Sequence, residues 1–112
     1  MKIIEAIVNS SKVDAVKDAL LKEGVRGLTV MNVNGFGNKK AEREIYRGAE
    51  FTPEFVPMVN MRVIVGDDEA QCAIDTIVRS SQTGKAGDGI IFVGGISELV
   101  RISTGETGEK AL

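Results

Sequence analysis

The feature of this sequence that most restricts its fold is a pattern that occurs twice. An alternating apolar segment is followed by an amphipathic helix and then by a second alternating segment, first over residues 2–36 and again over residues 55–94. Alternation with period two indicates strands, and apolar residues at three- and four-residue spacing indicate helices. Two such units in tandem predict an α+β fold of the ferredoxin-like β-α-β-β-α-β type, with an antiparallel sheet and both helices on one face.

The helices and strands have definite expected limits. Strands are predicted at 2–9, 27–36, 55–65, 90–94 and 98–103, and helices at 11–23 and 67–81. Ser10 or Ser11 is placed to cap the start of the first helix, because serine hydroxyls accept from the first amides of a helix. Gly24 is placed to end that helix in the left-handed conformation.

One face of the predicted sheet has an intermediate polarity. With Ile4 and Ala6 facing the helices, the opposite face carries Ile3, Glu5, Ile7, Asn60, Arg62 and Ile64. That face is too apolar for open water and too polar for a dry core, so we expect another copy of the chain to cover it. Glu5 and Arg62 lie on neighbouring strands of this architecture and are expected to form an ion pair.

Composition excludes several classes of function. The 112 residues fit a single domain, 1–112, and a net charge of −2 gives no reason to expect nucleic-acid binding. The absence of histidine removes the commonest catalytic base and transition-metal ligand, and a single cysteine, Cys72, predicts an ordinary thiol. No signal peptide and no apolar run of about 20 residues is found, so a cytoplasmic location is expected.

Two segments lack regular patterning. Residues 37–54 mix positive and negative charges without periodicity, which is typical of a disordered loop or of a loop that orders on a binding partner. Residues 82–89 contain Gly84, Gly87 and Gly89, which favour either a plain tight turn or a loop whose backbone amides surround an anion. The residues themselves leave both pairs of alternatives open.

Four stretches resemble the PII (nitrogen regulatory P-II) signal-transduction family. YRGAEF at 46–51 is similar to the signature of the PII T-loop, and TGKAGDGIIFV at 83–93 resembles the PII B-loop and its following strand. VNGFG at 33–37 resembles the approach to the T-loop, and RISTGE at 101–106 resembles the C-terminal loop. The spacing between them matches without gaps, so the resemblance covers essentially the whole chain.

The resemblance implies a homotrimer of ferredoxin-like subunits with a long T-loop (37–54), a B-loop (82–90), a short C-terminal strand and a C-terminal loop (101–112). It implies a regulator that is not an enzyme and that binds ATP or ADP in clefts between subunits. The implied nucleotide-binding residues are Thr29, Gly35, Gly37, Asn38, Ile64, Gly84, Gly87, Asp88, Gly89 and Arg101.

The T-loop is implied to control a protein target in nitrogen metabolism. Its contact residues would be Tyr46, Arg47, Gly48 and Phe51. Arg47 matches an arginine that plugs the channel of ammonium transporters in relatives, so such a transporter is one candidate target and the only route to a membrane. Modified relatives carry a tyrosine or a serine where this chain has Phe51 and Ala49. These two positions therefore have no hydroxyl that could be covalently modified.

The ligand site departs from the family pattern. Lys39 replaces a glutamine that helps hold magnesium and 2-oxoglutarate, and Met58 replaces a lysine that pairs with the far carboxylate. Lys39 and Lys40 instead suit a small anion, which leaves the role of magnesium open. Ile90 and Ser103 stand for a lysine and an arginine that contact phosphates, so weakened nucleotide binding and an altered or lost 2-oxoglutarate response are expected.

Asn38 also departs from the pattern, since it replaces an arginine at the start of the T-loop. An alternative function is a trimeric interaction protein that has lost nucleotide sensing. A ferredoxin-like enzyme is disfavoured, because nucleoside diphosphate kinases need histidine and the arginine–asparagine motif of acyl-phosphate hydrolases is missing.

Overall fold

The structure, a computed structural model, describes residues 1–36 and 55–112. The expected strands and helices form close to their predicted limits. They are β1 (Lys2–Val8), α1 (Val13–Lys22), β2 (Thr29–Gly35), β3 (Val56–Val65), α2 (Ala70–Ser81) and β4 (Gly89–Gly95). Short 3-10 turns precede both helices, at Ser10–Lys12 and Asp67–Glu69, and a third lies at Gly108–Ala111.

The four strands form one antiparallel sheet in the order β2-β3-β1-β4. Strand β1 is central, with Ile4 opposite Val63 of β3 on one side and Val93 of β4 on the other. This order confirms the ferredoxin-like α+β fold. It also makes β2 and β4 the two edges of the sheet.

The core lies between the sheet and the two helices, which pack against each other on one face. Ile4, Leu20 and Ile77 are almost completely buried there. Burying a side chain of this size stabilises the fold by roughly 1.5–3 kcal/mol. The buried apolar residues of this core are Ile4, Ala6, Val8, Val16, Leu20, Val25, Val59, Met61, Val63, Val65, Ala70, Ala73 and Ile77.

The start of α1 differs from expectation. Neither Ser10 nor Ser11 caps the helix, because both lie inside a 3-10 turn in which the amide of Lys12 donates to the carbonyl of Asn9. The side chain of Asn9 instead donates to the carbonyl oxygen of Gly87 at 3.3 Å. Gly24 follows the helix with a φ of +92°, which confirms its predicted conformation.

The prediction of a strand at 98–103 is wrong. Within the described residues this segment contributes a single bridge, between Val100 and Thr107. The amide of Arg101 donates to the carbonyl of Glu106, and the amide of Gly105 donates back to the carbonyl of Arg101. The chain turns on itself at Gly105, whose φ is +74°, so the alternating side chains find no neighbouring strand.

The sheet face opposite the helices is only partly covered by the described residues of the single subunit. Ile3, Ile7 and Ile64 are half-buried on it, and Phe92 and Ile90 are exposed. A row of side chains crosses this face from Thr29 through Arg62 and Glu5 to Phe92, because these residues are paired across the strands. The face therefore combines apolar ends with a polar centre, as expected from the sequence.

Gly89 offers a direct test of the β1–β4 pairing. Its φ is +121°, and a Cβ atom there would overlap the carbonyl oxygen of Ile7 in the paired strand. We expect Gly89→Ala to lower the free energy of unfolding by about 3 kcal/mol or more, because the clashing carbonyl is backbone of a paired strand and cannot move aside as a side chain can. Urea denaturation measures this.

Gly95→Ala is the matched control at the other end of the same strand. A Cβ atom there meets nothing within 4 Å. The expected change is within about 0.5 kcal/mol. Equal unfolding midpoints for the two variants would contradict the proposed constraint at Gly89.

Candidate functional site

The B-loop is folded around its own carboxylate. Asp88 accepts hydrogen bonds from the amide of Thr83 at 2.7 Å and the amide of Gly84 at 3.0 Å, and it also accepts from the Thr83 hydroxyl. These hydrogen bonds, those from Thr83 first, lower the pKa of Asp88 below its usual value. Gly84 and Gly87 turn the chain with φ values of +84° and +92°. The loop is therefore held in shape by its own hydrogen bonds.

The hydrogen bonds within the B-loop limit which amides can meet an anion. The amides of Thr83 and Gly84 donate to Asp88, and the amide of Lys85 donates to the Thr83 hydroxyl at 3.3 Å. Gly84 thus shapes the turn, and its amide is already occupied. The donors left for an anion are the amides from Ala86 onward.

A cleft of about 740 Å³ lies on the other side of the subunit. Thr29, Ile64 and Arg101, three of the residues implied to bind nucleotide, line it together. The cleft lies where β2 begins and is closed on one side by the C-terminal segment up to Leu112. Sequence reasoning placed these three residues in one site on resemblance alone, and the structure brings them together.

Arg62 also lines the cleft, and it belongs to a polar cluster at the centre of the open sheet face. Its Nε and Nη2 atoms donate to Oε1 of Glu5 at 3.1 and 3.0 Å. Asn60 donates to the same oxygen at 3.1 Å. The hydrogen bond from Asn60, together with those from Arg62 and its charge, holds the pKa of Glu5 below its usual value. The predicted Glu5–Arg62 ion pair is confirmed.

Arg101 has different surroundings from Arg62. Its Nε donates to the backbone carbonyl of Ala111 at 3.1 Å, which ties the C-terminal loop to the end of the chain. No carboxylate of the described residues lies within ion-pair distance of its guanidinium group. Arg101 therefore makes no ion pair within the described residues, although Asp68, Glu69 and Glu109 also line the cleft, whereas Arg62 is paired with Glu5.

The B-loop and the cleft lie at opposite edges of the sheet. The B-loop precedes β4, at one edge, and the cleft lies at the start of β2, the other edge. Three strand spacings separate the two edges, which is about 14 Å. No B-loop residue lines the cleft. Gly35 lies apart from the cleft as well, at the far end of β2 and opposite Val56.

The remaining predicted site residues lie in the T-loop, outside the described residues. They are Gly37, Asn38, Lys39, Lys40, Tyr46, Arg47, Gly48 and Phe51. Their roles stay predictions.

Sequence reasoning missed part of the cleft. The segment Arg26–Leu28, which belongs to no strand, forms one wall, and Leu112 contributes to another. The usable signal was the pair of glycines at 24 and 27, which flank residues with neither strand nor helix periodicity. Among residues 1–36 and 55–112, no group of acidic, cysteine or histidine side chains is arranged to hold a metal, and no helix is long and apolar enough to span a membrane.

Comparison with known proteins covers nearly the whole chain. The family model for nitrogen regulatory protein P-II matches residues 1–106. Nitrogen regulatory protein P-II of Mesorhizobium japonicum is 50% identical over 112 residues, the full length of both chains. Nitrogen regulatory protein P-II 1 of Escherichia coli K12 is 46% identical, again over both full lengths. The crystal structure of Arabidopsis thaliana PII bound to citrate aligns with a TM-score of 0.82 and 40% identity, covering 99% of this chain and 91% of that one.

The Glu5 cluster predicts a pH-dependent stability. The folded pKa of Glu5 lies below the model-compound value of 4.5, so its ionised form stabilises the fold above that pH, and this contribution is lost as pH falls through the lower folded pKa. We expect Glu5→Gln to lower the melting temperature by a few degrees at pH 7. The difference from the parent protein should shrink as pH drops below 4.5.

Glu98→Gln is the control, because Glu98 is exposed and makes no contact with the cluster. Melting curves from pH 3 to pH 8 give the comparison. A Glu5→Gln difference that is constant across this range would contradict the role of the charge.

Proposed function

Because this chain belongs to the nitrogen regulatory protein P-II family, we propose that it is a signal-transduction regulator that binds ATP or ADP between the subunits of a homotrimer. Proteins of this family are signalling regulators that form trimers and interact with protein targets. In this proposal the T-loop, 37–54, controls a partner protein in nitrogen metabolism. The protein is a regulator in this scheme and not an enzyme.

One observation carries the proposal: the B-loop and the cleft are two half-sites on opposite edges of one sheet. A ligand that contacts both must lie between two copies of the chain. A cyclic assembly provides this arrangement, since each contact in a ring joins two different surfaces of the same subunit. The uncovered sheet face, with exposed Phe92 and Ile90, supplies apolar surface for such an assembly.

The chemistry of the two half-sites suits the two ends of a nucleotide. The B-loop offers backbone amides from Ala86 onward, which are donors suited to phosphate oxygens. Arg101 on the cleft side adds a guanidinium group that makes no ion pair within the described residues. Thr29 and Ile64 offer a hydroxyl and an apolar surface for the base and sugar.

The phosphate contacts are fewer than the family pattern provides. Ile90, which replaces a lysine, is 62% exposed at the start of β4 and carries no charge. Ser103 replaces an arginine in the C-terminal loop. Each lost charge-assisted hydrogen bond weakens binding by roughly 1.5–3 kcal/mol. We therefore propose weak nucleotide binding that favours ADP, because the third phosphate gains least.

The standard response to 2-oxoglutarate is proposed to be lost. Met58, at the position of a carboxylate-pairing lysine, is buried and packs beside Gly35, so it offers neither charge nor access. Lys39 cannot ligate magnesium, because a lysine ammonium group has donors only. A small anion beside ADP, held by Lys39 and Lys40, is the proposed replacement.

Calorimetry with the intact protein tests nucleotide binding. We expect ADP to bind at least as tightly as ATP, and Arg101→Ala to weaken both by about tenfold to a hundredfold, because a charged donor to phosphate is removed. Lys22→Ala, an exposed cation on α1, is the matched control and should change neither affinity. Equal affinities for the two variants would contradict the role of Arg101.

The same titration separates the proposal from its alternative. If ATP, ADP and AMP all fail to bind or to raise the melting temperature, the chain is a trimeric interaction protein without nucleotide sensing. Adding 2-oxoglutarate with ATP and magnesium should produce no further heat. Micromolar, magnesium-dependent binding of 2-oxoglutarate would refute the lost response.

The proposed target of the T-loop is an ammonium transporter, and Arg47 would enter the pore of that transporter. We expect Arg47→Glu to reduce co-sedimentation with transporter-containing proteoliposomes at least about tenfold, because a carboxylate at the pore reverses the charge. Nucleotide affinity should stay unchanged. Arg43→Glu makes the same charge change elsewhere in the loop, and an equal loss with that variant would contradict a specific role for Arg47.

A further inference from the structure

Asn9 joins the end of β1 to the B-loop. The last backbone pair between β1 and β4 is Val8 with Gly89, and the side chain of Asn9 extends this contact beyond the ladder. Its Nδ2 atom donates to the carbonyl oxygen of Gly87 at 3.3 Å. This oxygen accepts no other hydrogen bond within residues 1–36 and 55–112. Asn9 therefore fixes a peptide group that the hydrogen bonds inside the B-loop leave unfixed.

The hydrogen bond from Asn9 also sets the direction of the next amide. In a trans peptide the carbonyl and the N–H point in opposite directions, and the described residues contain no cis peptide bond. Because the carbonyl of Gly87 points toward Asn9, the N–H of Asp88 points away from it. That N–H makes no hydrogen bond within the described part of the chain. It is therefore a free donor whose direction is set from outside the B-loop.

The peptide group between Gly87 and Asp88 needs such a restraint. Gly87 has a φ of +92° and no side chain, so rotation of this peptide group meets little steric resistance on the glycine side. A carbonyl released by Asn9 would pair with water, which favours no single direction. Asn9 thus selects one of the orientations that glycine permits. Fixing a donor in advance reduces the entropy that a ligand loses on binding.

The residues that follow Asn9 lie against the same loop. Asn9 precedes the 3-10 turn Ser10–Lys12, where asparagine commonly caps the first amides, but its side chain makes no capping hydrogen bond. Hydrogen bonds from Thr83 lower the pKa of Asp88 most, and the charge of Lys12 lowers it further, which places Lys12 near the loop carboxylate. Residues 9–12 therefore support the B-loop at two points.

We infer that Asn9 is a positioning residue of the B-loop, which aims the amide of Asp88 at a phosphate oxygen by holding the carbonyl of Gly87. This inference rests on the proposed function, because the phosphate belongs to the nucleotide proposed there. It goes further by giving a role in ligand binding to a residue outside the loop, at the end of β1.

Calorimetry with ADP compares the parent protein with Asn9→Leu, which has a side chain of similar size and no donor. We expect ADP to bind this variant about threefold to tenfold more weakly, because the hydrogen bond that orients a ligand donor is lost. Asn9→Asp should weaken binding at least as much, since an ionised carboxylate only accepts and repels the carbonyl oxygen. Asn32→Asp introduces the same charge at an exposed position of β2 and should leave the ADP affinity unchanged.

Amide NMR spectra at saturating ADP separate positioning from a general loss of loop stability. An amide proton that donates to phosphate moves downfield, and we expect this shift for Asp88 in the parent protein. In Asn9→Leu the Asp88 shift should be lost. The amides of Ala86 and Gly87 belong to earlier peptide groups and should respond as in the parent protein. Selective loss at Asp88 supports the inference.

Other outcomes overturn it in distinguishable ways. If Asn9→Leu binds ADP as the parent protein does, or if the responses of all three amides fall together, Asn9 does not position the Asp88 amide and the proposed nucleotide binding still stands. An equal loss of affinity in Asn9→Asp and Asn32→Asp, with Asn9→Leu unchanged, would also overturn it, because charge alone would be the cause. If ADP does not bind the parent protein, the proposed function fails and the inference fails with it.

Discussion

Strand β1 forms ladders on both of its sides, with β3 and with β4, and these pairings fix the relative positions of the B-loop and the cleft. They make β2 and β4 the edges of the sheet, so the B-loop before β4 and the cleft beside β2 cannot meet within one subunit. A ligand that bridges them must lie between copies of the chain. Ligand binding and assembly then become linked, because a ligand that binds only the assembled form stabilises that form. The strand order thus separates the two candidate half-sites before any side chain is considered.

Much of this fold was predictable because its signals are local. Strands and helices that each bury one face must alternate with periods of two and 3.6, and the sequence shows both periods clearly. The C-terminal segment shows the limit of that reasoning. Residues 98–103 alternate as a strand does, but a strand also needs a neighbour, and the turn at Gly105 returns this chain onto Thr107. Ser10 and Ser11 failed as caps for a similar reason, since a 3-10 turn had already satisfied the local amides.

The site was less predictable than the fold, because it depends on choices between side-chain partners. The Glu5–Arg62 pair followed from strand adjacency, which the fold class supplies. Nothing in the sequence indicated that Asp88 would occupy two amides of its own loop, and only the glycines at 24 and 27 pointed to residues 26–28 as a wall of the cleft. These features arise from turn geometry and from contacts between distant segments, which periodicity does not record. The T-loop residues lie outside the described structure, so their roles still depend on the family resemblance.

Both half-sites use a carboxylate of the protein to orient their donors, with different consequences. Asp88 occupies the amides of Thr83 and Gly84, so its loop is preorganised but has fewer amide donors left for a ligand. Glu5 occupies only one edge of Arg62, so the other edge gains direction without being lost. Asn60 shows that this orientation has a cost. Its Oδ1 is buried and finds no donor in the described part of the chain, which lowers the stability of the fold by about 1–3 kcal/mol. Flipping the amide would not help, because Oδ1 would then face the carboxylate of Glu5. An apolar residue at this position would avoid that cost, so stability alone does not account for the cluster.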